Sequence, residues 1–82
     1  MKYNLAFKPR VRRDLRAVSE ADAKRILGKV ELLRDGLSGD VKRLTNFTPE
    51  YRLRVGDHRV LFEIERDTVV VYRVVHRREA YR

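Results

Sequence analysis

Apolar residues along the chain follow two periods, and the changes between them mark out the elements. Tyr3, Leu5 and Phe7 alternate with Lys2, Asn4 and Ala6, the period of a half-buried strand. Pro9 suits the first turn of a helix. Val11, Leu15 and Val18 then recur at spacings of four and three, with Arg10, Arg12, Arg13 and Arg16 mostly off that stripe. Ser19, with Asp22 three residues on, resembles a capping box, after which Ala23, Ile26, Leu27, Val30 and Leu33 keep helical spacing as far as Gly36. The pattern predicts two helices packed as a hairpin. The stretch "GLSGDVKRLTNFTPE" carries two Gly, one Pro and several small polar residues, so it reads as a loop anchored to the core by Val41 and Leu44.

Period two then returns. Tyr51, Leu53 and Val55 alternate with Arg52 and Arg54, Gly56 and Asp57 supply turn chemistry, and Val60, Phe62 and Ile64 resume the alternation. After a second turn at "ERDT", the run "VVVYRVV" is apolar on both faces apart from Arg73, as a central strand would be. The expected class is α+β in the order β-α-α-β-β-β: an antiparallel sheet with a two-helix hairpin packed on one face, forming a single domain over residues 1–82. With 82 residues, 43% of them hydrophobic, the chain supports one small core. It has no Cys, which excludes disulfides and thiolate zinc sites. No apolar stretch approaches the roughly 20 residues of a membrane span, and the first residues hold too short an apolar run for a signal peptide. A cytoplasmic protein with no membrane partner is the expectation.

Charge changes the picture. The formal net charge is +8, which points to a polyanionic partner: nucleic acid, an acidic protein or an anionic surface. All five lysines lie in residues 1–42, whereas residues 51–82 hold eight arginines and no lysine. Arginine presents a planar fork that grips phosphate through two bonds and stacks on bases, so the second half reads as the recognition surface. An overall arginine bias is the plainer alternative, since seven of the twelve basic residues before residue 51 are also Arg.

Strand parity says where those arginines go. If Tyr51, Leu53 and Val55 face the helices, Arg52 and Arg54 face away, and Arg59 has the opposite parity to Val60, Phe62 and Ile64. All three then share the uncovered face. Arg77, Arg78 and Tyr81 follow the last strand and emerge at its rim. Several guanidiniums on so small a face repel one another unless an anion neutralises them. An RNA backbone meets that need, with Tyr51 or Tyr81 placed to stack a base and Arg73 and Arg78 adding charge. His58 and His76 offer acid–base chemistry, but a turn position and a strand end more often give a histidine a structural hydrogen bond.

At these residues the sequence resembles the RelE toxins of the RelE/ParE superfamily, small ribosome-dependent endoribonucleases of toxin–antitoxin pairs. "YNLAFKPRVRRDLRAV" looks like the family's opening strand and first helix, "YRLRVGDHRVLFEI" like its central hairpin, and "VVVYRVVHRREAYR" like its closing strand and tail. The resemblance implies cleavage of mRNA in the ribosomal A site by attack of a ribose 2′-OH on its neighbouring phosphate, leaving a 2′,3′-cyclic phosphate. Arg52 and Arg54 match positions where the family often carries phosphate-binding lysines, Arg59 the arginine that stabilises the scissile phosphate, and Arg77 the tail arginine, with Arg78 one residue away as its rival. Tyr81 resembles the tail tyrosine that orients the reacting nucleotide. Arginine at 52 and 54 leaves the general base unassigned, because a guanidinium stays protonated. No metal or other cofactor is implied. The implied partners are an acidic, RelB-like antitoxin in a hetero-oligomer and the ribosome with its mRNA and rRNA. A ParE-like inhibitor of DNA gyrase, which shares the fold and cuts nothing, is the second reading, and a basic binding module without activity is the third. The family often carries a helix after the tail tyrosine; the sequence ends at Arg82, which implies a more open site.

Overall fold

The computed structural model describes residues 2–46 and 48–79. Seven elements follow in chain order: β1 (Asn4–Phe7), α1 (Arg10–Arg16), α2 (Glu20–Leu32), β2 (Val41–Arg43), β3 (Tyr51–Val55), β4 (His58–Glu65) and β5 (Thr68–His76). The strands form one sheet in the spatial order β1-β5-β4-β3-β2. Both helices lie over one side of it, giving the α+β class expected from the pattern.

Local chemistry accounts for the element ends. The Ser19 hydroxyl accepts a hydrogen bond from the Asp22 backbone N–H at 3.1 Å, satisfying one of the free donors at the start of α2. Gly56 opens the two-residue turn between β3 and β4 with φ 58°, a conformation that strains any residue carrying a Cβ. Apolar residues from both layers close the core: Val11 from α1, Ile26 and Val30 from α2, and Leu53, Val55, Val60, Phe62, Val69, Val71 and Val74 from the sheet. Leu33, just past α2, is fully buried with them.

Two features differ from the expected antiparallel sheet of four strands. The stretch read as loop contributes β2, a three-residue strand in which Val41, Lys42 and Arg43 pair with Leu53, Arg52 and Tyr51. Its turn-like composition is overridden by the ladder that β3 offers beside it. In addition, β1 runs parallel to β5, pairing Asn4–Phe7 with Thr68–Val71, so the sheet is mixed. Alternation along β5 is broken as well. Leu61 faces Arg73 but Phe62 faces Val71, which leaves Tyr72 as an extra residue in a β-bulge. The bulge lets Val71 and Val74, three apart, both reach the core.

β5 outlasts its parallel neighbour, and α1 covers the difference. β1 ends at Phe7, and the next backbone N–H, that of Lys8, still reaches Val71 O at 2.8 Å. Beyond that point the Val74 N–H meets no strand among the described residues and donates to the side chain of Asp14 on α1, at 2.9 Å to Oδ2.

Candidate nucleic-acid interface

The side of the sheet away from the helices carries the arginines that parity assigned to it. Arg54 and Arg59 are direct partners across the β3–β4 hairpin, and Arg52 lies two residues along from Arg54, opposite Leu61. Like charges facing each other across strands destabilise a sheet, so the Arg54–Arg59 pair is held at a local cost. Arg77 reaches the same end: its backbone N–H donates to Asp57 O at 2.8 Å, and its Nη1 lies 3.8 Å from Asp57 Oδ1. This places it beside the Gly56–Asp57 turn that precedes Arg59.

Three of these guanidiniums are anchored within the face, Arg59 to its own turn and Arg52 and Arg54 to one shared carboxylate. Arg59 Nη1 donates to the backbone oxygens of Gly56 and His58, both at 2.9 Å, which folds the side chain over its own turn. Arg54 Nε lies 2.8 Å from Asp40 Oδ2, and Arg52 Nη1 3.7 Å from Asp40 Oδ1. The two differ in access. The Arg54 side chain is 58% exposed, whereas that of Arg52 is 12% exposed, with its Nε buried and without a hydrogen-bond partner among the described residues. Arg52 contributes positive potential from beneath the surface, and Arg54 offers an open fork.

The structure does not bring Tyr51 to this face. Tyr51 pairs with Phe62, and the two rings stack at 5.4 Å on the side that holds the core. The base-stacking role expected of Tyr51 is thereby corrected: odd-numbered residues of β3 point to the helices, and its ring already covers Phe62. Arg73 is corrected in a different way. Register sets it opposite Leu61, but its Nε and Nη2 donate to Asp14 at 2.8 and 3.1 Å, in a forked pair with a carboxylate whose side chain is 7% exposed. Bonding to Asp14 raises the Arg73 pKa further, against the opposing effect of burial. Arg73 is a structural cation. Arg78 is exposed, and its backbone N–H donates to His76 Nδ1 at 3.3 Å. Tyr81 lies outside the described residues.

Two residues on this face were missed by the sequence reading because both belong to the segment taken as loop. Lys42 is the cross-strand partner of Arg52 and brings a lysine into the arginine cluster. Asp40 precedes it and is the carboxylate that Arg52 and Arg54 share. The signal was the Asp40–Val41–Lys42 alternation directly after Gly39. The two histidines sit elsewhere: His58 and His76 are cross-strand partners, edge to face with ring centroids 5.8 Å apart. They line a cavity of about 320 Å³ with Asp22 and Arg25 of α2, on the side opposite Arg54 and Arg59.

A two-helix layer on one side of a small mixed sheet, with an arginine-bearing bare side, defines a class of small basic α+β proteins. Comparison with known proteins narrows it. Residues 5–81 match the model of the ParE toxin of the type II toxin–antitoxin system parDE. The toxin RelE3 of Methanocaldococcus jannaschii is 38% identical over 42 residues, which is 51% of this chain and 48% of that protein, so the match spans about half of the curated relative. The crystal structure of the RelB–RelE antitoxin–toxin complex from Methanococcus jannaschii contains a similar chain, with TM-score 0.77 and 30% identity over 93% of this chain and 94% of that one. The RelBE2 toxin–antitoxin complex of Mycobacterium tuberculosis gives TM-score 0.76 and 27% identity over 93% and 99%. An archaeal RelE–RelB complex from Pyrococcus horikoshii shares the fold, with TM-score 0.76 at 23% identity over 98% and 100%. The chain belongs to this family of type II toxin–antitoxin toxins and is a RelE family toxin.

Proposed function

We propose that this toxin is a ribosome-dependent endoribonuclease that cleaves mRNA in the A site through 2′-OH attack, leaving a 2′,3′-cyclic phosphate. The observation that carries the reading is the direct pairing of Arg54 with Arg59 on the bare side of the sheet, with Arg52, Lys42 and Arg77 around them. The reaction passes through a phosphorane whose negative charge grows as the nucleophile attacks, and fixed cations aimed at that charge lower the barrier. Arg54, Arg59 and Arg77 are suited to that task. Arg52 strengthens the local positive potential, and Arg78 and Lys42 extend the contact along the RNA backbone. Tyr81 keeps the orienting role that the resemblance implies. Supply of the message by the ribosome makes positioning a large share of the rate, which fits a site rich in phosphate grips and poor in bases.

Primer extension on a translated message tests the reading. Wild type should produce cuts within codons, and Arg59→Ala and Arg77→Ala should abolish them while circular dichroism shows an intact fold. A message left whole by the wild-type protein overturns it. The ParE description of the matching family model favours a second reading, inhibition of DNA gyrase. A supercoiling assay with the same preparation separates the two, since only a gyrase inhibitor would block it.

The structural relatives are complexes with RelB antitoxins, and a chain of net charge +8 with a bare cationic face suits an acidic antitoxin segment that folds on binding. Recovery of the native toxin active and alone, with no co-expressed inhibitor, would count against that partner.

A further inference from the structure

Asp40 is built into the arginine face by its backbone. Gly39 adopts φ 121°, a conformation that strains any residue with a Cβ, and a Cβ there would press on Leu53 Cδ1 at 3.0 Å, so glycine suits the chain's close pass over the sheet. The Asp40 carbonyl then accepts the Arg54 backbone N–H at 2.9 Å, continuing the β2–β3 ladder by one residue and putting Asp40 opposite Arg54. Side chains directly opposite across antiparallel strands share a face. The carboxylate therefore has to stand among the cations of the bare side, and it takes the Arg54 Nε at 2.8 Å with Arg52 Nη1 at 3.7 Å.

The ion pair is open to exchange. Arg54 and Asp40 are 58% and 51% exposed, and an ion pair so well hydrated contributes little to stability. A phosphate offers the same fork a doubly bonded grip of its own. We propose that Asp40 is an internal counter-anion of the arginine face, paired with the Nε side of Arg54 in the free toxin and giving way to an RNA phosphate on binding; this rests on the RNA reading above. Asp40 then limits the affinity of the free toxin for RNA in general. It also screens the mutual repulsion of Arg52 and Arg54 when no RNA is present.

Anisotropy titration of a single-stranded RNA oligonucleotide with the full chain, repeated over a range of salt, tests this. Asp40→Asn should tighten binding about threefold and steepen the logarithmic salt slope by about 0.7, the value of one additional phosphate contact on a single strand. Asp40→Ser, a second route to the same loss of charge, should do likewise. Glu20→Gln, which removes one negative charge on the exposed surface of α2, should change binding less. In an Arg54→Ala background the gain from Asp40→Asn should vanish. Unchanged or weaker binding by both Asp40 variants overturns the proposal, as does a gain that survives without Arg54, since that would be a general charge effect. The RNA reading itself fails separately: it is lost if Arg59→Ala binds the oligonucleotide as tightly as wild type, whatever Asp40 does.

Discussion

Arg73 and Arg59 are identical side chains on adjacent strands of one sheet, and they have opposite fates. Arg73 meets a carboxylate that is nearly buried, bonds it through two nitrogens, and shares it with the Val74 N–H and with Arg10, whose Nε is 3.5 Å from Oδ1. Arg59 faces another arginine and, among the described residues, is anchored only to backbone oxygens. The first arrangement satisfies its charge within the fold. The second leaves charge for something outside it. A count of arginines therefore says little about a binding surface until each guanidinium is assigned its internal acceptor.

The sharpest way to break this contrast is through activity. Arg59→Ala should lower cleavage of a translated message by about 10²- to 10³-fold, as expected for loss of one donor to a transition-state oxyanion, with stability changed by less than about 0.5 kcal/mol. A matching loss of stability would place Arg59 in the class of Arg73. Asp14→Ala should do the reverse, costing roughly 3 kcal/mol in chemical denaturation, because it strands the Arg73 charge and the Val74 N–H together; the partial exposure of Arg73 keeps the effect at the low end. RNA binding by the folded fraction should persist. Arg73→Lys keeps the charge but loses the fork, and about 1–2 kcal/mol should go with it. A neutral result there would show that Asp14 needs the charge of residue 73 and not its fork.

The smallest effect belongs to the bulge. Burial, the hydrogen bond that Tyr72 donates to Glu65, and the nearby charges of Glu65 and Glu63 together raise the Tyr72 pKa above the ordinary phenol value. Since the folded state favours the neutral phenol, that contribution is complete below the unfolded pKa of about 10 and is lost as pH rises through the folded value. The gap in unfolding midpoint between wild type and Tyr72→Phe should hold up to about pH 9 and narrow above it. A gap that widens with pH would mean the phenolate is the form stabilised.

Much of this was legible because strands obey parity. Alternation alone put Arg52, Arg54 and Arg59 on the bare side, and the Ser19 cap and the long apolar run of β5 followed from local chemistry. What stayed hidden depends on distant partners. Three residues of β2 become a strand only because β3 offers a ladder, and with them Asp40 and Lys42 enter the site unannounced. The extra residue at Tyr72 shifts the alternation within β5. Arg73 and Asp14 lie 59 positions apart, so no window along the chain holds both. A single charge inside an otherwise apolar strand was still a clue, since such a group is tolerated where a buried counter-charge awaits it. Tyr51 shows the opposite error, in which an aromatic attractive to a base was already covering a neighbour in the core.

The carboxylate of Asp14 also bears on self-association. Where β1 stops, β5 would otherwise present the raw amide margin along which foreign strands zip on and aggregates grow. A helix-borne acid bonded to the Val74 N–H, flanked by Arg10 and Arg73, takes one donor of that margin away from an incoming chain and sets charge beside it, so the toxin blunts this part of its own sheet with a side chain where other folds use a further strand.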